Sequence, residues 1–178
     1  MGNFTVTEAG STEDIPTTVQ IAGDTNGDGF YDADYDRIVS FLQQNSAVAG
    51  KTNGQVLGTN VNDPAVISGI TWNAAQPKRI ATISLGSKNL AGSMDVSGFT
   101  ELTSLDCSNN KITSLIFAEG NKLTTLRCDN NPVQKLDVST QTELSSISFT
   151  GMTALREIKI NSNLTFTANS YGYLQGTL

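Results

Sequence analysis

The feature that most constrains this chain is a pattern returning every 21 residues in its second half. Leu102-Thr-Ser-Leu105-Asp-Cys107-Ser-Asn-Asn110-Lys-Ile112-Thr-Ser-Leu115 aligns without gaps on Leu123-Thr-Thr-Leu126-Arg-Cys128-Asp-Asn-Asn131-Pro-Val133-Gln-Lys-Leu136. A third copy follows at Leu144, Ile147 and Phe149, and an upstream one at Ile80, Ile83 and Leu85 is spaced by 22. A repeat this short cannot bury a core alone, so successive copies must stack into a solenoid.

Each period also has a half-step. Ile112-x-x-Leu115-x-Phe117, Val133-x-x-Leu136-x-Val138 and Leu155-x-x-Ile158-x-Ile160 repeat the apolar spacing. Each coil is thus expected to carry two inward rows, Leu85, Cys107, Cys128, Phe149 and Val96, Phe117, Val138, Ile160. Alternation over such short runs means strands or extended segments. The return leg is too short for a full helix, so it should be extended or 3₁₀. By count alone Cys107 and Cys128 could form a disulfide. Their shared inward position favours two reduced thiols packed as small hydrophobes.

L-x-x-L-x-C-x-x-N-x-I resembles the leucine-rich repeat, in the short form of secreted or surface-attached bacterial proteins. Asn110 and Asn131 match the family asparagine, which would satisfy backbone groups at the turn after the strand. The match departs in the third copy, where Met152 replaces the asparagine and Ala154 the branched residue. Trp72, then Arg79-Ile-Ala-Thr-Ile83-Ser-Leu85, then Asn89-Leu-Ala-Gly92 is similar to the start of many such arrays. The resemblance implies an α/β solenoid, mostly β, with one parallel sheet and an N-terminal capping helix. The helix is expected at 34–44, where Tyr35, Ile38, Val39 and Leu42 form an apolar stripe and Asp34 offers an N-cap. Residues 45–71 read as loop with a short strand or helical turn. The expected organisation is a cap at 1–79 and an array at 80–178, ending in a C-terminal cap or a truncated coil built on Phe166, Tyr171, Tyr173, Leu174 and Leu178. Phe4-Thr-Val6-Thr and Thr18-Val19-Gln-Ile21 alternate weakly as strands.

Residues 24–36, Asp24-Thr-Asn26-Gly-Asp28-Gly29-Phe30-Tyr31-Asp32-Ala-Asp34-Tyr-Asp36, hold five Asp and one Asn. D-x-N-x-D-G is the first half of an EF-hand-type loop, in which alternating oxygens converge on calcium and a glycine allows the sharp turn. The loop resembles the half-site of dockerin modules, which lack the incoming helix. That match implies side-chain ligation by Asp24, Asn26 and Asp28, a carbonyl from Phe30, and Asp32 directly or through water. Tyr35 stands where the acidic closing ligand belongs, so Asp34 or Asp36 must close the site. The helix phase favours Asp34. A second half-site is missing: 53–63 offer Asn53, Asn60, Asn62 and Asp63 without the motif. This argues for a structural ion over cohesin docking.

Histidine is absent, which removes His-based nucleophile pairs, zinc sites and proton shuttles. A net charge of -6 with thinly spread Lys and Arg argues against nucleic acid. No apolar run is long enough to insert in a membrane, and the first twenty residues lack signal-peptide features. Abundant Thr, Ser and Asn lean towards an extracellular or cell-surface protein. Asn3-Phe-Thr5 and Asn163-Leu-Thr165 fit the glycosylation triplet. The expected function is a non-catalytic binding or adhesion module with a structural calcium site. It would recognise a protein or a surface glycan through outward residues including Ser104, Asp106, Thr125, Arg127, Ser146 and Ser148. A cellulosome-type docking module and a passive scaffold or spacer are the alternatives.

Overall fold

The computed structural model describes residues 21–164. The expected strand at 4–7, all but Ile21 of the one at 18–21, the Asn3 triplet and the tail aromatics lie outside them. The chain begins with helices α1 (Asp32–Leu42) and α2 (Asn53–Leu57), a 3₁₀ turn at Pro64–Val66 and strand β1 (Ile70–Trp72). Eight short strands follow: β2 (Ile80–Ser84), β3 (Ala91–Asp95), β4 (Ser104–Asp106), β5 (Lys111–Ile116), β6 (Thr125–Arg127), β7 (Lys135–Asp137), β8 (Ser146–Ser148) and β9 (Glu157–Lys159). They form a parallel β-solenoid of about four turns. The main sheet runs β1-β2-β4-β6-β8, parallel throughout except for β1.

Register follows the sequence repeat. Ile83 pairs with Leu105, Leu105 with Leu126 and Leu126 with Ile147. The first inward row is buried as expected, with Leu85, Cys107, Cys128 and Phe149 all in the core. Both cysteines are free. The second row is less regular. Val96 and Val138 are buried, Phe117 is partly buried, and Ile160 is 39% exposed on the last coil described. The expectation of an inward Ile160 is corrected accordingly.

The return legs are extended and also pair, β3 with β5 and β7 with β9. Between β5 and β7 the ladder stops, and Pro132 removes the bond that would open it. In the preceding coil the Lys111 N–H donates to the Leu90 carbonyl at 2.7 Å. Pro132 occupies the equivalent place and has no N–H to donate. The turn after each main-sheet strand requires positive φ, supplied by Ser87, Asn109, Asn130 and Gly151 in successive coils.

The asparagines behave as the repeat implies. Asn131 Nδ2 donates to the carbonyls of Cys107, Cys128 and Asp129 while its Oδ1 accepts from Ile112 N–H. Asn110 does the same one coil earlier, to Leu85, Cys107 and Ser108. These side chains hold neighbouring coils together where no strand ladder runs.

The open N-terminal end of the solenoid is closed by the cap. β1 covers the outer edge of β2. On the other side two amide side chains stand in for a strand. Asn53 bonds Ala91 through both its N–H and its carbonyl, and Gln44 does the same to Ser93, at 2.8–3.0 Å. Gly92 permits this approach, since a Cβ there would lie 2.0 Å from Gln44 Oε1. An exposed edge is thereby satisfied without inviting a second chain.

Candidate metal loop and strand face

The loop at 24–36 is organised around Asp24, which is 3% exposed. Its Oδ1 accepts from the Gly27 and Asp28 N–H groups and its Oδ2 from Gly29 N–H, at 2.7–3.1 Å. Asn26 Oδ1 accepts from Asp28 N–H, and Asp28 Oδ1 from Phe30 N–H. Asp32 Oδ2 accepts from the side chain and the backbone of Thr25, and these bonds hold its carboxyl below the ordinary value. The loop is tied to the array. Tyr31 N–H donates to the Lys78 carbonyl and Lys78 N–H to the Gly29 carbonyl. The Phe30 ring packs edge-on against Trp72 and under the Lys78 ammonium.

Helix α1 starts at Asp32, two residues before the expected 34, and ends at Leu42. Its N-cap is Tyr31, without a side-chain cap. Asp34 is therefore neither the N-cap nor a free closing ligand. It is 1% exposed, receives Arg79 in a bidentate pair at 2.9 Å and accepts the Ile80 N–H. Hydrogen bonding to Asp34 raises the Arg79 pKa, and Arg79 also stacks on the Tyr31 ring at 3.7 Å. Asp36 is exposed two residues further along α1. It lines a groove of about 420 Å³ with Arg37, Ser40, Gln44, Ser93 and Asp95. Arg37 is paired with Asp95 and Gln44 with Ser93, so the groove's polar groups largely satisfy one another.

The loop's donors are oxygen-only, which suits a hard cation such as calcium. A carboxylate has about four acceptor positions, so Asp24 and Asp28 keep acceptor capacity beyond these bonds. Among the described residues, no three acidic or thiol side chains converge as metal ligands. The loop as folded is held by its own N–H groups.

On the main sheet, Ser104, Thr125 and Ser146 form one outward column, and Asp106, Arg127 and Ser148 the next. Arg127 and Asp106 approach to 4.0 Å. Beside these columns, Ser108 and Asp129 are buried. Burial alone would raise the Asp129 carboxyl, but hydrogen bonds from Ser148 and Thr150 outweigh it and leave it lowered. Sequence reasoning missed the roles of Gln44, Asn53 and Arg79, whose partners lie 38 to 49 positions away. No described helix is long and apolar enough to cross a membrane. Comparisons with protein-family models, curated proteins and solved structures find no match.

Proposed function

We propose that this chain is a non-catalytic binding module of leucine-rich repeat type, acting outside the cell or at its surface, on a cap stabilised by calcium. The supporting observation is the register of the main sheet, which sets small hydroxyls and one acid–base pair in columns along an open face. Such a face, without a nucleophile and base set in a pocket, suits recognition of an extended protein or surface glycan. The repeat-family reading is supported by Asn110 and Asn131, which bridge coils at the family's asparagine position.

Calcium would be held by Asp24, Asn26, Asp28, the Phe30 carbonyl and Asp32, and with Asp34 remaining on Arg79 it is Asp36 that is left to close the site. When bound, it would neutralise the loop carboxylates and fix the start of α1.

The test of recognition is retention on arrayed matrix proteins and surface glycans. A partner should be captured, and Ser104→Arg combined with Ser146→Arg should weaken it about tenfold, roughly 1.4 kcal/mol, with an unchanged unfolding midpoint. Capture untouched by these substitutions would move recognition off this face. No capture at all would favour the passive scaffold.

A further inference from the structure

Three sulfurs from consecutive coils come together in the core. Cys107 and Cys128 follow the paired strands β4 and β6 at the same inward position, and the ladder runs on through both. The Cys107 N–H donates to the Arg127 carbonyl and the Cys128 N–H to the Ser148 carbonyl, each at 2.9 Å. The two cysteine backbones are therefore one strand spacing apart, about 4.8 Å. The third sulfur comes from a departure in the repeat. Position 152 corresponds to Asn110 and Asn131 of the preceding coils, where the amide donates to backbone carbonyls. Met152 has no amide to donate, and its Sδ lies 3.8 Å from Cys128 Sγ instead. Both cysteines are 0% exposed and Met152 3%.

We propose that Cys107, Cys128 and Met152 form a binding site for a soft monovalent metal ion, copper(I). Thiolate and thioether sulfurs select such an ion, whereas the oxygens of the loop at 24–36 suit a hard one. Two sulfurs 3.8 Å apart subtend roughly 110° at an ion about 2.3 Å from each, the distance at which zinc stands from a thiolate. One ion can thus bond both, with Cys107 as the third donor from the coil before. The metal–sulfur bond forms at Cys128 Sγ as its proton leaves to solvent, and Met152 Sδ donates a lone pair without losing a proton. Copper stays monovalent, so no oxidant or reductant takes part. One thiolate cancels the single charge of the ion, and the core gains no net charge. Zinc would bring a second charge and ask for four ligands. Burial keeps the free thiols protonated at neutral pH, so the ion competes with a proton. It enters by local opening of the coils, which makes loading and release slow. The site is separate from the loop and from the strand face.

The test loads the full chain anaerobically with copper(I), supplied as its acetonitrile complex, and removes loose metal with a copper(I) chelator and gel filtration. The folded chain should keep about one copper, and its affinity should rise about tenfold per pH unit, the mark of one displaced proton. X-ray absorption at the copper edge should show sulfur neighbours alone. Cys128→Ala should abolish retention. Met152→Leu, which keeps an apolar side chain of similar size, should weaken binding several-fold with its unfolding midpoint little changed. No copper retained by the folded wild type would overturn the proposal. So would equal retention by Met152→Leu or by the chain in urea, since loose thiols would then account for it.

Discussion

Asn131 shows how much one repeat residue carries. Replacing it with alanine leaves three carbonyls and the Ile112 N–H without their side-chain partner in the core. A buried group left unpaired costs about 1–3 kcal/mol, so Asn131→Ala should lower stability by roughly 3 kcal/mol in urea unfolding. Met152, at the same position one coil on, shows the apolar alternative, with its sulfur 3.8 Å from Cys128 Sγ. The thiols give a pH signature. Burial pushes Cys107 from an ordinary 9.0 up to about 12, and Cys128 well above 9.0. Above an alkaline pH near the ordinary value, the unfolded thiols ionise while the folded ones stay protonated. Stability should therefore be intact below that value and fall as pH rises towards about 12. The slope should be about 1.4 kcal/mol per pH unit for each thiol. Urea midpoints measured on the alkaline side would check it against a Cys107→Ala, Cys128→Ala double variant, which should lose most of the slope. The inward place of both cysteines was legible in the sequence because the 21-residue period fixes it. The burial of Ser108 and Asp129 was not, because it comes from hydrogen bonds within and between coils.

The elements of the array were read more accurately than those of the cap, and the reason is physical. Array strands pair with their own repeats, so periodicity alone sets the register. Cap elements make single contacts that no periodicity announces. Asp34 looked like an N-cap because it precedes an apolar stripe, yet it binds Arg79, 45 residues away. Removing Arg79 would leave an uncompensated buried carboxylate, so Arg79→Met should cost about 3 kcal/mol. Hydrogen exchange should localise the loss. Amides of α1 and residues 24–30 should lose protection well ahead of those in β4 and β6. Equal loss across the chain would mean that the pair supports the whole array instead of joining cap to array. Gln44 and Asn53 lay in or beside a stretch read as loop, and each proves to be a substitute for a strand edge. Asn53→Ala should leave Ala91 unpaired and destabilise the chain by about 2 kcal/mol by the same urea measurement.

At the scale of the molecule, the coils stack on nearest neighbours, so what holds one end is felt first in the coils beside it. The break between β5 and β7 at Pro132 and the partial exposure of Phe117 and Ile160 mark where the second side is less regular than the first. The first side runs unbroken from β1 to β8 and reaches the loop through Lys78 and Arg79. An ion bound only by the folded loop would add about 2.7 kcal/mol at a hundredfold excess over its Kd, a gain that falls on the cap and the first coils it joins. The central claim, a cap stabilised by calcium, is tested most directly by calorimetric titration of the chain with calcium, together with thermal melts in calcium and in EDTA. The account predicts a binding heat and a higher Tm in calcium, both abolished by Asp28→Ala and both kept by Glu119→Ala, whose exposed side chain lies in the array, away from the loop. No binding heat and identical melts in calcium and EDTA would contradict it.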